Sequence, residues 1–258
     1  MPFKPDINPP AAAAGHHQAV PDPLAHFTAI PWCAALLSDP ALLDVGVPDR
    51  RPLPSGESTF VRKTMNGPTT VRACVTFLRM VKPSPHDKTK TRSAGEGKGE
   101  GEGKAEGEGK AEGEGDGEEK KNKPLSASEA LVGGGGRDNG EDPRNPFILF
   151  NALADLGVDL QSYPGIMHGG LFGVLMDEVM GTAANFQAAH GSYTVRFTTN
   201  FRAAVQTPQI VLIRGRVVRK DGRKIYVRGT IENKDGKILA EGDGLWLAMN
   251  RKVGRSQL

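Results

Sequence analysis

Asp177 stands in unusual company. It lies in an apolar run from Gly169 to Gln187, in which Leu171, Phe172, Leu175, Met176, Val179, Met180, Ala183 and Phe186 recur at helical spacing and share one broad face. On the opposite side, stacked above and below Asp177, are Gly170, Gly173, Gly181 and Ala184. A glycine inside a helix costs about 1 kcal/mol relative to alanine, so a row of them asks for a compensating reason. Small residues around one carboxylate let a second backbone or a slender ligand approach the helix, and a carboxylate there can take a proton from water. A solvated polar face is the other reading of Asp177. Glu178 points about 100° away, grouped with Thr182 and Asn185, so the two acids do not act on one point.

His168-Gly169-Gly170 precedes this helix. A helix start presents free backbone N–H groups, and glycines there let an anionic oxygen reach them. His168 orients a substrate, caps the helix or simply occupies the turn. Taken together, a carbonyl oxygen on the Gly170 N–H and a water at Asp177 suit acyl-transfer hydrolysis.

These groups need a scaffold, and the rest of the chain reads as one. After the helix, four alternating runs predict strands over Tyr193–Arg202, Gln209–Lys220, Arg223–Asn233 and Lys237–Met249. Asp221-Gly222 and Asp235-Gly236 between them predict type I′ hairpins, giving an antiparallel meander with one buried face. Upstream, Leu24, Phe27 and Ile30, then Trp32, Ala35 and Leu36, predict two short helices broken at Pro31 and stopped before Pro40. Ser58–Met65 and Thr70–Val81, separated by Asn66-Gly67-Pro68-Thr69, predict a hairpin, and the apolar pattern returns at Pro146–Phe150. The only long apolar helix must cover the sheet face, so the expected class is α+β, an antiparallel sheet wrapped around one central helix.

The chain has 258 residues and 33 glycines, ten of which fall between Ser93 and Lys123 together with ten acidic residues and six lysines. Within that tract Lys104–Gly109 is repeated as Lys110–Gly115, and no aliphatic residue larger than alanine occurs. It cannot bury enough apolar surface to offset its ordering entropy. The tract carries a net charge of −4, leaving +7 on the rest of the chain. The expected organisation is a disordered lead-in over 1–23, one domain over 24–250 with an N-terminal helical segment, a disordered insertion over 83–144 inside that domain, and a tail over 251–258. Loop closure entropy grows only logarithmically with length, so such an insertion is tolerated. Gly133–Gly136 lacks the Gly-Lys-Ser/Thr of a phosphate loop and reads as linker.

Two cysteines, Cys33 and Cys74, exclude a disulfide framework, and no Cys/His spacing suits a zinc site. Both read as small buried apolar residues. No run reaches the roughly 20 apolar residues of a membrane span, and the start lacks a basic stretch followed by an apolar core. The expected location is the cytoplasm. A peroxisomal address is the alternative, because Ser256-Gln257-Leu258 differs by one residue from Ser-Lys-Leu, and a mitochondrial one is left open. The strands lack the interleaved exposed aromatics of a nucleic-acid reader, so no nucleic-acid partner is expected.

His168-Gly169-Gly170, the acid Asp177 nine positions after the histidine, the long helix and the four strands with Thr194 and Asn200-Phe201 resemble the hotdog-fold thioesterases of the PaaI-like and THEM-like group. The resemblance covers about Phe147–Met249. Ile30-Pro31-Trp32-Cys33 looks like the N-terminal portion of fungal members. It implies an acyl-CoA thioesterase without metal or other cofactor, in which Asp177 activates water, the Gly170 N–H polarises the thioester carbonyl and His168 fixes the substrate end. It also implies a homodimer or a dimer of dimers, with the active site at a seam where Thr194 comes from the partner subunit. Gly169, Gly173 and Asn200 would bind substrate. Arg216 and Arg219, part of the basic cluster around Asp221-Gly222, would meet the phosphates of coenzyme A. Phe201-Arg202-Ala203 departs from the family's aromatic-basic-Pro sequence. Two other functions fit the same residues: a hotdog dehydratase or isomerase, and a non-catalytic acyl-thioester binding protein.

Overall fold

The computed structural model describes residues 7–8, 15–81 and 147–250. The expected insertion over 83–144, the tail over 251–258 with its Ser256-Gln257-Leu258, and most of the lead-in lie outside the described residues.

A two-residue strand, β1 (Ile7–Asn8), is followed by two short helices, α1 (Pro23–Thr28) and α2 (Pro31–Leu37), each opening on a proline in its first turn, where the missing N–H costs nothing. Asp22 caps α1, its Oδ1 accepting the Ala25 N–H at 2.9 Å. The strands β2 (Asp44–Pro48), β3 (Val71–Val81) and β4 (Phe147–Leu156) follow, then a small hairpin of β5 (Gln161–Tyr163) and β6 (Ile166–Met167). The long helix α3 (Gly169–Asn185) leads to β7 (Ser192–Phe201), β8 (Gln209–Asp221), β9 (Lys224–Glu232) and β10 (Ile238–Ala248). Eight strands form one antiparallel sheet in the order β1-β2-β3-β4-β8-β9-β10-β7, with α3 across one face. This is the α+β hotdog class.

The structure corrects four expectations. Ser58–Met65 is no strand: Phe60–Thr64 forms a helical turn, and β3 takes β2 and β4 as its partners. That run does not alternate, and only Met65 in it is buried, so it has no face to give a sheet. The four C-terminal strands are not a simple meander. The chain runs β8-β9-β10 by tight turns, whereas β7 lies beyond β10 at the sheet's far edge, because residues 202–208 contain no hairpin turn to fold β7 onto β8. The first tight turn is shifted by one residue, with Asp221 paired to Lys224 and Gly222 at positive φ in the first central position, the type II′ pattern. The lead-in is ordered over its last part. Gln18 accepts the Cys74 N–H and donates to the carbonyls of Pro48 and Cys74, and the Val20 N–H donates to the Arg72 carbonyl.

Alternation divides the core in two. One set of side chains packs under α3, whose Phe172, Leu175, Met176, Val179, Met180 and Ala183 are buried. On the other face, α1 and α2 lay Phe27 and Cys33 over Ala73, Val75, Phe77, Leu153 and Leu212. Asp155, buried on that second face, accepts from Arg72 at 2.6 Å and His26 at 3.0 Å, which fastens α1 to the sheet. Both cysteines are buried and free, and burial pushes the Cys33 thiol up to about 12.

α3 sits close to the sheet because three glycines face it in a row: Gly215 pairs with Gly229, and Gly229 with Gly242. A methyl on Gly215 would lie 2.9 Å from Met180 Cα and 2.9 Å from the Val179 carbonyl oxygen. A methyl on Gly242 would lie 3.2 Å from the Phe197 ring and 3.3 Å from the end of Met176, both of which can shift. Gly215→Ala is therefore expected to destabilise the fold by about 1–3 kcal/mol and Gly242→Ala by less, since only the first meets helix backbone. Urea unfolding measures both, and a Gly215→Ala protein as stable as wild type contradicts this seating.

Candidate functional site

The approach to α3 is fixed from several directions. Gly165, at a φ of 75°, turns the β5–β6 hairpin, and its N–H donates to Gln161 Oε1 at 2.6 Å. The Met167 N–H donates to the Val205 carbonyl and the His168 N–H to the Leu160 carbonyl, each at 2.8 Å. His168 thus arrives as the residue capping α3, and its Nδ1 accepts the Gly170 N–H at 3.0 Å. For Nδ1 to accept, the neutral ring carries its proton on Nε2, which the exposed side chain presents outward. Of the roles open to His168 in the sequence, the cap is the one observed. It occupies the N–H expected to polarise a carbonyl.

Asp177 is half-buried two turns further along, and the Thr194 hydroxyl donates to its Oδ1 at 2.7 Å. A bulge in β7 makes this contact possible. Leu245 pairs with Arg196 and Trp246 with Thr194, so Val195 is the extra residue, and the chain on either side of it presents side chains to the same face. Phe197 then reaches Trp246 and Phe201 reaches Phe172, edge to face. The start of β7 is tied to the end of α3, where Asn185 Oδ1 accepts both the Ser192 N–H at 2.7 Å and the Ser192 hydroxyl at 2.8 Å.

The expected site residues do not all converge. Asp177 and Thr194 meet within one chain, so the expectation that Thr194 reaches Asp177 from a partner subunit does not describe this contact. Gly170 and Asp177 share a helix face but are separated by seven residues, about 10 Å of helix rise. The small-residue row divides. Gly169 and Gly173 border β7, with Phe201 3.9 Å and Phe197 4.0 Å from where a methyl would stand, whereas Gly181 packs on the Trp246 indole and Ala184 is fully buried. Gly181 thus serves packing rather than access.

Asn200 lies between the inward Phe197 and Phe201 in the alternation and opposite Glu241, on the outer face of the sheet. Arg216 and Arg219 also lie on that outer face: Arg216 stands opposite Arg228, and Arg219 stacks at 4.0 Å over the Tyr226 ring. The sheet separates all three from Asp177. Around them Arg228 pairs with Asp243, Arg202 with Glu241 and Arg214 with Glu232 across the strands.

The sequence concealed two features. The Asn185–Ser192 clamp is one, since a helix-end asparagine followed by a loop has many readings. The other is the setting of Glu178. Burial pushes its carboxyl above the ordinary carboxylate value, Arg50 and Arg62 from the 49–66 segment oppose the shift, and Asp177 reinforces it. Among the described residues no group of three His, Cys, Asp or Glu could hold a metal ion, and no helix is long and apolar enough to cross a membrane.

Residues 164–240 match the model of the thioesterase superfamily. The acyl-coenzyme A thioesterase THEM4 of Mus musculus is 26% identical over 95 residues, covering 36% of this chain and 40% of that protein. The THEM4 of Bos taurus is 26% identical over 110 residues, covering 42% of this chain and 43% of that protein. The chain thus spans less than half the length of these curated relatives. The PaaI protein of the E. coli phenylacetic acid degradation operon superposes with a TM-score of 0.39 at 15% identity, covering 41% of this chain and 76% of that one.

Because the folded state holds the Glu178 proton more tightly than the unfolded chain, stability falls as pH rises from about 4.5 through the raised folded value. Glu178→Gln is expected to raise the Tm at pH 8 and to lose that advantage at pH 4, below both values. Thermal unfolding at the two pH values decides it, and an equal change at both counts against the assignment.

Proposed function

We propose that this chain, whose residues 164–240 match the thioesterase superfamily model, hydrolyses the thioester bond of an acyl-CoA. The observation that carries the reading is the Asp177–Thr194 pair at 2.7 Å, beside Gly173 and two turns from the glycine-rich start of the same helix. The Thr194 hydroxyl holds Oδ1 and leaves Oδ2 to take a proton from water. The water oxygen then bonds to the thioester carbonyl carbon, and the carbonyl oxygen becomes an oxyanion. As that intermediate collapses the C–S bond breaks, and the thiolate recovers the proton from Asp177. The acid and the free thiol are the products.

The oxyanion needs donors at a helix start. In one chain the Gly170 N–H is about 10 Å of helix from Asp177, too far to serve the same carbonyl. Two copies resolve this if their β7 edges pair in antiparallel fashion, which sets the partner's Gly170 near Asp177. The free edge supports such pairing: Tyr193, Val195 and Phe201 along β7 are 49%, 53% and 61% exposed. His168 then acts as a cap that gives way. Its exposed ring turns out, releasing the Gly170 N–H to the substrate carbonyl, and the first turn of α3 with Gly169 and Gly170 lets the carbonyl come close. The active form is a homodimer, alone or as half of a dimer of dimers.

Release of free thiol from short, medium and aromatic acyl-CoAs tests the chemistry. Asp177→Asn is expected to lower kcat by about 100-fold or more, and Thr194→Ala by about 10-fold through misplacement of the carboxylate. Undiminished hydrolysis by Asp177→Asn would remove Asp177 as the base. Wild-type protein that releases no thiol would favour the acyl-thioester binding function instead. Full activity from a protein that sedimentation shows to be monomeric would contradict the shared site.

A further inference from the structure

We propose that Asn185 is a positioning residue of the site, setting the geometry of Asp177 through β7 rather than touching substrate; as a catalytic role this rests on the thioesterase reading above. Between α3 and β7 the chain makes a short loop, 186–191, and turns at Gly191 with a φ of 85°. The Gln187 N–H donates to the Ala184 carbonyl at 2.9 Å, the Ala188 N–H to the Asn185 carbonyl at 3.1 Å and the Met249 N–H to the Gly191 carbonyl at 2.9 Å, and the Asn185 side chain joins the helix end directly to the first residue of β7.

Its Oδ1 accepts two protons from a single residue, the Ser192 N–H at 2.7 Å and the Ser192 hydroxyl at 2.8 Å. The identity of that atom follows from chemistry: a backbone N–H can only donate, so the side-chain oxygen and not the amide nitrogen must face it. Asn185 stands eight residues after Asp177 on α3, and Ser192 stands two before Thr194 on β7. The clamp and the Thr194–Asp177 bond are therefore two rungs between the same helix and the same strand. Below them the strand bulges at Val195, which locally breaks the ladder to β10 and bends β7. Within one chain, β7 pairs with β10 alone among the described residues. β10 fixes the register of β7, and the upper rung fixes the distance of its first residues from α3: without that rung the start of β7 draws back from the helix, and the carboxylate loses the hydroxyl that holds its first oxygen.

Three variants test this against a merely structural role. Asn185→Ala removes the acceptor, Asn185→Asp keeps oxygens that accept both bonds, and Ser192→Ala removes the hydroxyl but keeps the N–H. Asn185→Ala is expected to lower kcat by about 10- to 100-fold, the scale on which a small misplacement acts, with KM within about twofold. Asn185→Asp is expected to restore kcat to within about threefold of wild type, and Ser192→Ala to fall between the two. Amide hydrogen exchange read by mass spectrometry is expected to speed up about 10-fold in the peptide covering 192–196 of Asn185→Ala, with the 172–180 peptide unchanged. Wild-type kcat in Asn185→Ala, an Asp variant as impaired as the Ala variant, or unchanged exchange over 192–196 each overturns the proposal. If wild-type protein hydrolyses no acyl-CoA, the thioesterase reading fails, and with it the kinetic role, while the exchange measurement still decides whether Asn185 holds β7.

Discussion

The seating of α3 on Gly215, Gly229 and Gly242 is the contact on which the remainder depends. Where these glycines line up across β8, β9 and β10, the sheet offers backbone instead of side chains, and Met176, Val179 and Met180 settle into the space. A helix held further off would have to fill the gap with side chains. It would also carry Asp177 away from β7, because the hydroxyl of Thr194 is short and its reach to the carboxylate is a single hydrogen bond. Close packing in the core is thus what brings a polar pair together at the rim.

Both faces of the sheet are used, for different purposes. Under α3 the side chains are apolar, and polar groups lie at its borders: Thr194 and Asp177 meet at the β7 flank, and Glu178 on another side of the helix interacts with Arg50 and Arg62. The two adjacent acids therefore have different surroundings: one accepts a neutral hydroxyl, and the other is raised by burial with two guanidinium groups nearby. The outer face is covered by α1 and α2 over β3 and β4 and carries cross-strand ion pairs over β8, β9 and β10. Of the residues that suggested an anion site, Arg216 stands opposite Arg228 and Arg219 lies over the Tyr226 ring, relations that depend on register and so are invisible in a linear count.

Some of the fold was legible because the signal was local. The apolar spacing of 169–187 placed α3 to within two residues, prolines marked where α1 and α2 begin and end, and alternation located β8, β9 and β10. Signals were misleading where local chemistry allowed two outcomes. Asn66-Gly67-Pro68 is a turn, but the Phe60–Thr64 segment before it coils instead of pairing. Asp221-Gly222 is a tight turn with its centre one residue later than read. Gly181 and Gly173 belong to one row in the sequence, yet one faces an indole and the other borders the candidate site.

By itself the sequence determined which residues had the chemistry: a carboxylate on a glycine-flanked helix face, and a histidine with two glycines at that helix's start. These follow from residue type and a period of about 3.6, both of which are properties of neighbouring positions. Only the tertiary structure decided who meets whom. The β7 crossover to the far edge, the Val195 bulge that turns Thr194 inward, the His168 ring on the Gly170 N–H and the placement of Asn200, Arg216 and Arg219 behind the sheet all depend on the pairing of distant strands. Such pairing is settled by the burial of whole faces, in which each residue's partner is set by the packing of all the others.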